Sequence, residues 1–163
     1  MTTVLLAGAA GLALLATAVL VIQRLYRCGL EAAKLSRAQG TFRGRREWLE
    51  ARFFTLSAQS GKPRGLRWVD CDFDDDVIFA REPASGEIHA FVGVSIRFEA
   101  IEGGDMEDVE AVGNLRAATS VFCFDGSNWR TEGRSIFNLS PKQAVVHFDL
   151  QPAPIEHSAH GSS

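Results

Sequence analysis

The sequence lacks the motifs that mark the commonest small enzymes. It contains no GxSxG nucleophile motif, no P-loop and no GxGxxG, so hydrolase, nucleotide and dinucleotide sites have no support from it. Its four histidines are scattered, and no ligand spacing fits a metal. We therefore expect no catalytic residues, no metal, no cofactor and no nucleic-acid partner. Binding is favoured over catalysis, although the sequence leaves enzymatic activity open.

Cysteine is scarce as well. The three cysteines, at positions 28, 71 and 123, form no CxxC pair, which is not the pattern of a disulfide-stapled secreted protein. Their number and spacing indicate a reducing compartment. Cys71 and Cys123 alternate with apolar neighbours and are predicted to behave as small core hydrophobes, whereas Cys28 is predicted to be the more exposed thiol.

Charge is absent from Val4 to Ile22, and ten of these nineteen residues are Leu, Ile or Val. As a helix they span about 28 Å, close to the roughly 30 Å hydrocarbon core of a bilayer. The sequence therefore predicts a transmembrane anchor over residues 1–23, in contact with the lipid bilayer through residues 4–22. Cleavage as a signal peptide is the weaker alternative, because Met-Thr-Thr brings no basic side chain and the apolar run continues past Ala16-Thr17-Ala18.

The charges that follow this run set its orientation. No Lys or Arg precedes it, and four follow closely: Arg24, Arg27, Lys34 and Arg37. The positive-inside rule then predicts a single-pass protein of the cell membrane with its C-terminal domain in the cytoplasm. Residues 24–43 are predicted to form a basic juxtamembrane helix or neck that ends near Gly40. This neck is a topology signal in the simpler interpretation and a lipid sensor in the other.

After the neck, the apolar period changes from helical to alternating. RREWLEARFFTLSAQSG carries Leu49, Phe53 and Leu56 at helical spacing and predicts a helix packed on a sheet. Alternation then predicts strands in VDCDF, DVIFARE, IHAFVGVSIRFEAI, AVGNLRAATSVFCF and WRTEGRSIF, joined by hairpin-length turns. Ser140 and Pro141 begin a predicted final helix, PKQAVVHFDL.

This order predicts an α+β fold, in which a helix packs on an antiparallel meander of about five strands and a C-terminal helix follows. We expect the soluble domain to cover residues 44–150 and a disordered tail to cover residues 151–163. A curved sheet wrapped around one helix, as in cystatin-like or nuclear-transport-factor-like proteins, fits the same order. Such a shape does not by itself determine function.

The stretch WVDCDFDDD, residues 68–76, holds five aspartates. As an EF-hand loop starting at Asp70 it fails, because the required Gly and Glu are replaced by other residues. In a strand, alternate aspartates share one solvated face, and Arg97 and Arg116 on other strands are candidate partners. We therefore predict no high-affinity metal site at these aspartates.

Charge is divided unevenly along the chain. Residues 24–67 carry eleven Lys or Arg against three Glu, whereas the residues from Trp68 onward carry six against seventeen acidic ones, and the net charge is -3. A second acidic run, Glu102 to Glu110, follows the first. The two runs predict an acidic interaction surface for a basic protein partner, formed by Asp72, Asp74, Asp75, Asp76, Asp105 and Asp108.

The strand predicted from Ala111 to Phe124 has apolar residues on both faces. An apolar floor with a few polar groups is what a ligand pocket needs. The same pattern is typical of a sheet that is covered on both faces, and this interpretation is favoured. If a pocket is present, we expect it to be lined by His89, Arg116, Phe122 and Phe124.

Three segments resemble an uncharacterised bacterial family of short membrane-anchored proteins. They are RWVDCDFDDDVIFARE, IRFEAIEGGDMEDVEAVGNLRAATSVF and IFNLSP, with FDG and a tryptophan between the last two. The resemblance covers about residues 64–148. It implies a bacterial membrane setting, and it brings no activity and no catalytic residues.

Two functions are therefore expected. The first is a membrane-tethered interaction domain that recruits or assembles partners at the cytoplasmic face, where a high local concentration strengthens weak contacts. The alternative is a small-ligand-binding or enzymatic domain that uses a concave face of the sheet.

Overall fold

The structure, a computed structural model, describes residues 2–60, 65–107 and 109–154, and within these ranges the side chains of residues 15, 17–59, 65–107, 109 and 112–154. The chain divides into two compact units, Met1–Ser36 and Arg37–Ser163. The elements follow in the order α1 (Thr2–Ser60), β1 (Leu66–Arg81), β2 (Ile88–Ala100), a 3-10 turn (Glu110–Gly113), β3 (Arg116–Phe124), β4 (Trp129–Arg130), β5 (Ser135–Phe137), α2 (Pro141–His147) and β6 (Gln151–Pro152).

The first unit consists of the N-terminal part of α1. Most of the large apolar side chains described in it are exposed, with Leu15, Leu20, Leu25 and Leu30 at 64–70 %, whereas Leu35 is buried at 8 %. Over the part of the chain that the structure describes, no helix contains a stretch long and apolar enough to cross a membrane. Most side chains of the predicted span over residues 4–22 lie outside the described residues, so the anchor stays a prediction.

The helix does not end near Gly40, as the sequence predicted, but continues to Ser60. A glycine inside a helix costs about 1 kcal/mol relative to alanine. Packing outweighs this cost, because Ala38 and Phe42 on either side of Gly40 are fully buried, as are Leu49 and Phe53 farther along. The neck and the predicted second helix therefore belong to one continuous helix.

Within the described ranges, six antiparallel strands form one sheet in the order β4-β3-β2-β1-β6, and β5 also pairs with β3. The α+β class with an antiparallel meander is thus confirmed, with six strands where about five were predicted. The additional strand corrects the predicted tail, because Gln151 and Pro152 pair with Arg81 and Ala80. The backbone N–H of Ala153 continues this pairing by donating to the carbonyl of Phe79 at 2.8 Å. Residues 155–163 lie outside the described part.

β1 is one long strand where two short ones were predicted, and the aspartate run forms an irregularity inside it. Phe73 pairs with Val94 and Val77 pairs with Val92, so the three residues Asp74–Asp76 lie opposite Gly93 alone. The Asp74 carboxylate lies over Gly93, so a methyl group added there would overlap it unless the carboxylate rotated away. The bulge places three successive aspartates outward without breaking the strand.

The sheet has an α1 face and an opposite side, which we call the open face. The alternating apolar residues of β2 point to the α1 face and are buried there, as predicted: Ile88, Ala90, Val92, Val94, Ile96 and Phe98. From α1, the ring of Phe42 lies 5.4 Å from that of Phe122, and the ring of Phe53 lies 5.7 Å from that of Phe73. The open face is covered in part by α2, whose Val145 belongs to a small apolar cluster.

The short helix α2 begins where the sequence predicted, at Ser140 and Pro141. Ser140 and Gln143 form a capping box, in which each side chain accepts a hydrogen bond from the other residue's backbone N–H. The helix ends at His147, three residues earlier than predicted. Its shortness leaves one end of the open face uncovered.

Candidate functional site

A cleft of about 320 Å³ lies on the open face beside the turn that joins β1 to β2. We call it the hairpin-end cleft. Its apolar lining residues are Phe91, Val121, Ile136, Phe148 and Leu150. Its charged lining residues are Glu82, Glu87, Arg130, Glu132 and Arg134, and His89 and Cys123 complete it. Apolar surface with a few convergent polar groups is the usual make-up of a small-molecule site.

The β1–β2 turn holds two of the carboxylates in place. The backbone N–H of Glu82 donates to the carbonyl of Glu87 at 2.9 Å, and the N–H of Gly86 donates to the carbonyl of Glu82 at 2.8 Å. The hydroxyl of Ser85 donates to the Glu82 side chain. Gly86 has φ +69°, a left-handed conformation that glycine adopts without steric cost. The turn therefore presents both carboxylates to the same end of the sheet.

His89 and Cys123 meet because they are register partners on neighbouring strands. Nδ1 of His89 lies 3.3 Å from Sγ of Cys123. Burial lowers the pKa of His89 below its ordinary value, although Glu87 and Glu82 oppose the shift. Burial, helped by Glu87, raises the pKa of the Cys123 thiol to about 11. At neutral pH the two groups form an uncharged pair, unlike the thiolate–imidazolium pair of a cysteine nucleophile.

Two arginines complete the electrostatics of the cleft. Arg130 contacts Oε1 of Glu87 at 3.1 Å, while Oε2 of Glu87 lies 3.9 Å from Nε2 of His89. The guanidinium of Arg134 lies 5.0 Å from the ring centre of Phe148, within the range of a cation–π contact. Among the described residues, Glu82, Glu87 and His89 also form the group of potential metal ligands whose donor atoms converge.

The predicted pocket residues are not brought together. Of the four, only His89 lines the cleft. Phe122 and Phe124 lie on the α1 face at 0–1 % exposure, because alternation turns them away from their neighbour Cys123. Arg116 lies at the opposite end of β3, opposite Ile96. The prediction combined side chains from both faces, since the strand register was not known from the sequence.

The charged residues of the cleft were not predicted from the sequence. Glu82 precedes the predicted turn PASGE, Glu87 is its last residue, and His89 follows two positions later. That spacing was a usable signal, because the ends of a tight turn lie close together. Arg130 and Arg134 reach the cleft from β4 and from the segment before β5, which no local pattern indicated.

The predicted acidic surface is divided. Asp72 and Asp74–Asp76 are exposed at the bulge, and Asp105 is exposed in the loop that packs on Gly65 before β1, while Asp108 lies outside the described residues. Six to eight residues of strand separate the two places, roughly 20–25 Å. The runs therefore form two patches rather than one surface.

Arginine side chains contact the backbone of the first patch and the neighbouring Asp70. The guanidinium of Arg46 on α1 donates to the backbone carbonyls of Asp74 and Asp75, the latter at 2.7 Å. Arg97 pairs with Asp70 at 3.2 Å, which confirms one of the two predicted partners.

No protein-family model matches this chain, and neither the curated proteins nor the solved structures include a significant match to it. The resemblance to a family of membrane-anchored bacterial proteins therefore stays a prediction.

Proposed function

We propose that the protein is a membrane-anchored binding protein that holds a small polar ligand in the hairpin-end cleft. The observation that carries the proposal is the cleft itself, where apolar side chains and opposite charges line about 320 Å³. This size falls at the lower end of the roughly 300–1,000 Å³ of small-molecule sites. The geometry thus favours the function that the sequence analysis ranked second.

The state of Cys123 and His89 supports binding rather than catalysis. A thiol with a pKa of about 11 is almost wholly protonated at neutral pH and is a weak nucleophile. Among the described residues, no serine, threonine or lysine lines the cleft. The charged groups Glu87, Arg130 and Arg134 are suited to orienting a ligand that carries charges of its own.

Membrane anchoring is the second component of the proposal. It is supported by the uncharged run Val4–Ile22 and by the exposed apolar side chains of Leu15 and Val19–Ile22 in the first unit. The cytoplasmic position of the second unit, and a curved-sheet shape of the cystatin-like or nuclear-transport-factor-like kind, remain parts of this proposal. Reporter fusions at Ser163 test the orientation, and activity of a periplasmic reporter would contradict it.

Ligand binding is tested on the full chain in detergent by thermal unfolding with a panel of amino acids, dicarboxylates, polyamines and nucleosides. We expect at least one compound to raise the unfolding temperature, because a ligand at about 100 times its dissociation constant stabilises the fold by about 2.7 kcal/mol. Ile136→Trp fills the cleft and is expected to abolish the shift. Leu115→Trp, on a side chain that is 66 % exposed and outside the cleft, is the matched control. A shift that survives Ile136→Trp contradicts the proposal.

A second function, recruitment of a basic protein partner, is favoured by the bulge at Asp74–Asp76. The backbone of this segment is held by Arg46, and all three carboxylates are exposed. Crosslinking in membranes compares the native chain with a variant that carries Asp74→Asn, Asp75→Asn and Asp76→Asn. The same partners in both would exclude this surface, and loss of a partner would establish it.

A further inference from the structure

We propose that a divalent ion of the zinc class binds at the edge of the hairpin-end cleft through Glu82, Glu87 and His89. The inference deepens the proposed function and rests on it, because the ion would leave one coordination position toward the cleft. There a ligand with an oxygen or nitrogen donor completes the coordination. No metal was expected from the sequence, because the histidines are scattered along it and the aspartate run does not fit a calcium loop.

Convergence of the three side chains is the first argument. One ligand atom from each residue lies within 4.8 Å of the others, and all three residues are half-buried. Ligand atoms on a tetrahedral zinc ion stand about 3.4 Å apart when the bonds are about 2.0–2.1 Å long. Shifts of about 1 Å in the carboxylate oxygens of the two glutamates are therefore enough to bring the ligand atoms to these distances.

The second argument is that each ligand is held by another group through its remaining polar atom. Ser85 donates to Oε2 of Glu82, Arg130 donates to Oε1 of Glu87, and Cys123 contacts Nδ1 of His89. These contacts leave the second oxygen of each carboxylate and Nε2 of His89 for the ion. Contacts of this kind orient the ligands in metalloproteins and select the histidine tautomer.

The chemistry of the ligand set selects the ion. Two carboxylates balance the charge of a dication, and one imidazole favours zinc and its first-row neighbours over calcium and magnesium, which prefer oxygen ligands alone. Arg130 bonds to Oε1 of Glu87 and leaves Oε2 toward His89. The arginine therefore positions the ligand and does not occupy the ion's place.

The same contacts exist without an ion as an Arg–Glu–His network, so the experiment must separate these two roles. The full chain in detergent is freed of metal with a chelator and titrated with zinc chloride by calorimetry at pH 7.5. The background carries His157→Ala and His160→Ala, because the tail histidines offer an unrelated zinc site. We expect one ion per chain with a micromolar or lower dissociation constant.

Single substitutions then assign the ligands. His89→Ala and Glu87→Gln are each expected to weaken zinc binding by at least tenfold, whereas His147→Ala, an exposed histidine on α2, leaves it unchanged. Glu87→Gln preserves the shape of the side chain, so it decides the outcome if His89→Ala does not fold. Binding that is absent from the parent chain, or unaffected by Glu87→Gln, overturns the metal site.

The test of the zinc site can fail independently of the test of ligand binding in the cleft. If zinc does not bind while a panel compound still gives a shift that Ile136→Trp abolishes, the cleft stands as a ligand site and the ion is excluded. If both signals are absent, both proposals fail. If zinc binds at these residues, we expect the affinity of an oxygen-donor compound to fall at least tenfold after chelation. Unchanged affinity would show that the ion does not complete the ligand site.

Discussion

The two faces of the sheet differ in how completely a helix covers them, and the titratable groups follow this difference. On the α1 face, Phe42, Phe53, Phe122 and Phe124 are 0–1 % exposed. On the open face, a helix of seven residues covers only part of the strands, and His89 and Cys123 remain half-buried beside the cleft. A long helix closes its face with hydrocarbon, whereas a short one leaves an edge where polar side chains keep access to water.

The largest expected loss of stability comes from a substitution on the α1 face. Phe42→Ala removes a ring that packs edge-on against Phe79, Phe122 and Trp129. We expect the free energy of unfolding to fall by about 3–5 kcal/mol. Phe148→Ala on the open face, where the side chain is 38 % exposed, is the comparison and should cost about 1 kcal/mol. If both variants lose the same free energy of unfolding in chemical denaturation, the two faces do not differ in how completely a helix buries them.

Gly133→Ala tests the point where the segment before β5 meets α1. A methyl group there would lie 2.6 Å from the backbone nitrogen of Ser57 and 2.8 Å from Cβ of Leu56, and the residue has φ +72°. Overpacking and the left-handed backbone together are expected to cost about 2–4 kcal/mol.

The matched control for this substitution is Gly126→Ala. Gly126 also has a positive φ, +99°, but an added methyl group meets nothing within 4 Å. It should therefore show the backbone cost alone, about 1–2 kcal/mol. Equal unfolding midpoints for the two variants would mean that the contact with α1 is not tight.

Ser140→Ala tests the cover of the open face. Loss of the capping box is expected to cost about 1 kcal/mol, measured by chemical denaturation, and fraying of α2 should widen the cleft. Ser127→Ala, in the exposed turn after β3, is the control and should have an effect within about 0.5 kcal/mol. If both variants lose the same free energy of unfolding, the capping box does not help α2 to cover the open face.

The smallest effect on stability is expected from protonation of His89. Burial lowers the pKa of His89, so the folded state binds this proton less tightly than the unfolded chain does. Stability should therefore fall as pH drops through the ordinary value of 6.5. In the presence of a chelator, His89→Gln should reduce the difference in unfolding temperature between pH 7.5 and pH 5.5, whereas His147→Gln should not. An unchanged difference in His89→Gln would assign the pH dependence to other groups.

Local pattern was sufficient for some elements but not for the ends of others or for their assembly. The alternation from Ile88 to Phe98 and the Ser140–Pro141 start of α2 were predictable, because both depend on neighbouring residues alone. The end of the helix near Gly40 was predicted wrongly, because burial of Phe42 against the sheet outweighs the cost of glycine. The cleft was missed because it depends on the register that pairs His89 with Cys123.

The contacts of α1 also determine when the domain closes during synthesis. The indole N–H of Trp129 donates to the carbonyl of Ala38, 91 residues earlier, and the side-chain amide of Gln39 donates to the carbonyl of Pro154, 115 residues later. At about 5–20 residues per second, a ribosome needs roughly 5–18 s to make the first of these contacts available. During that time Phe42, Leu49 and Phe53 have left the ribosome, or are leaving it, without the strands that bury them. The side of the helix that faces the sheet in the folded domain is therefore made several seconds before the strands that bury it.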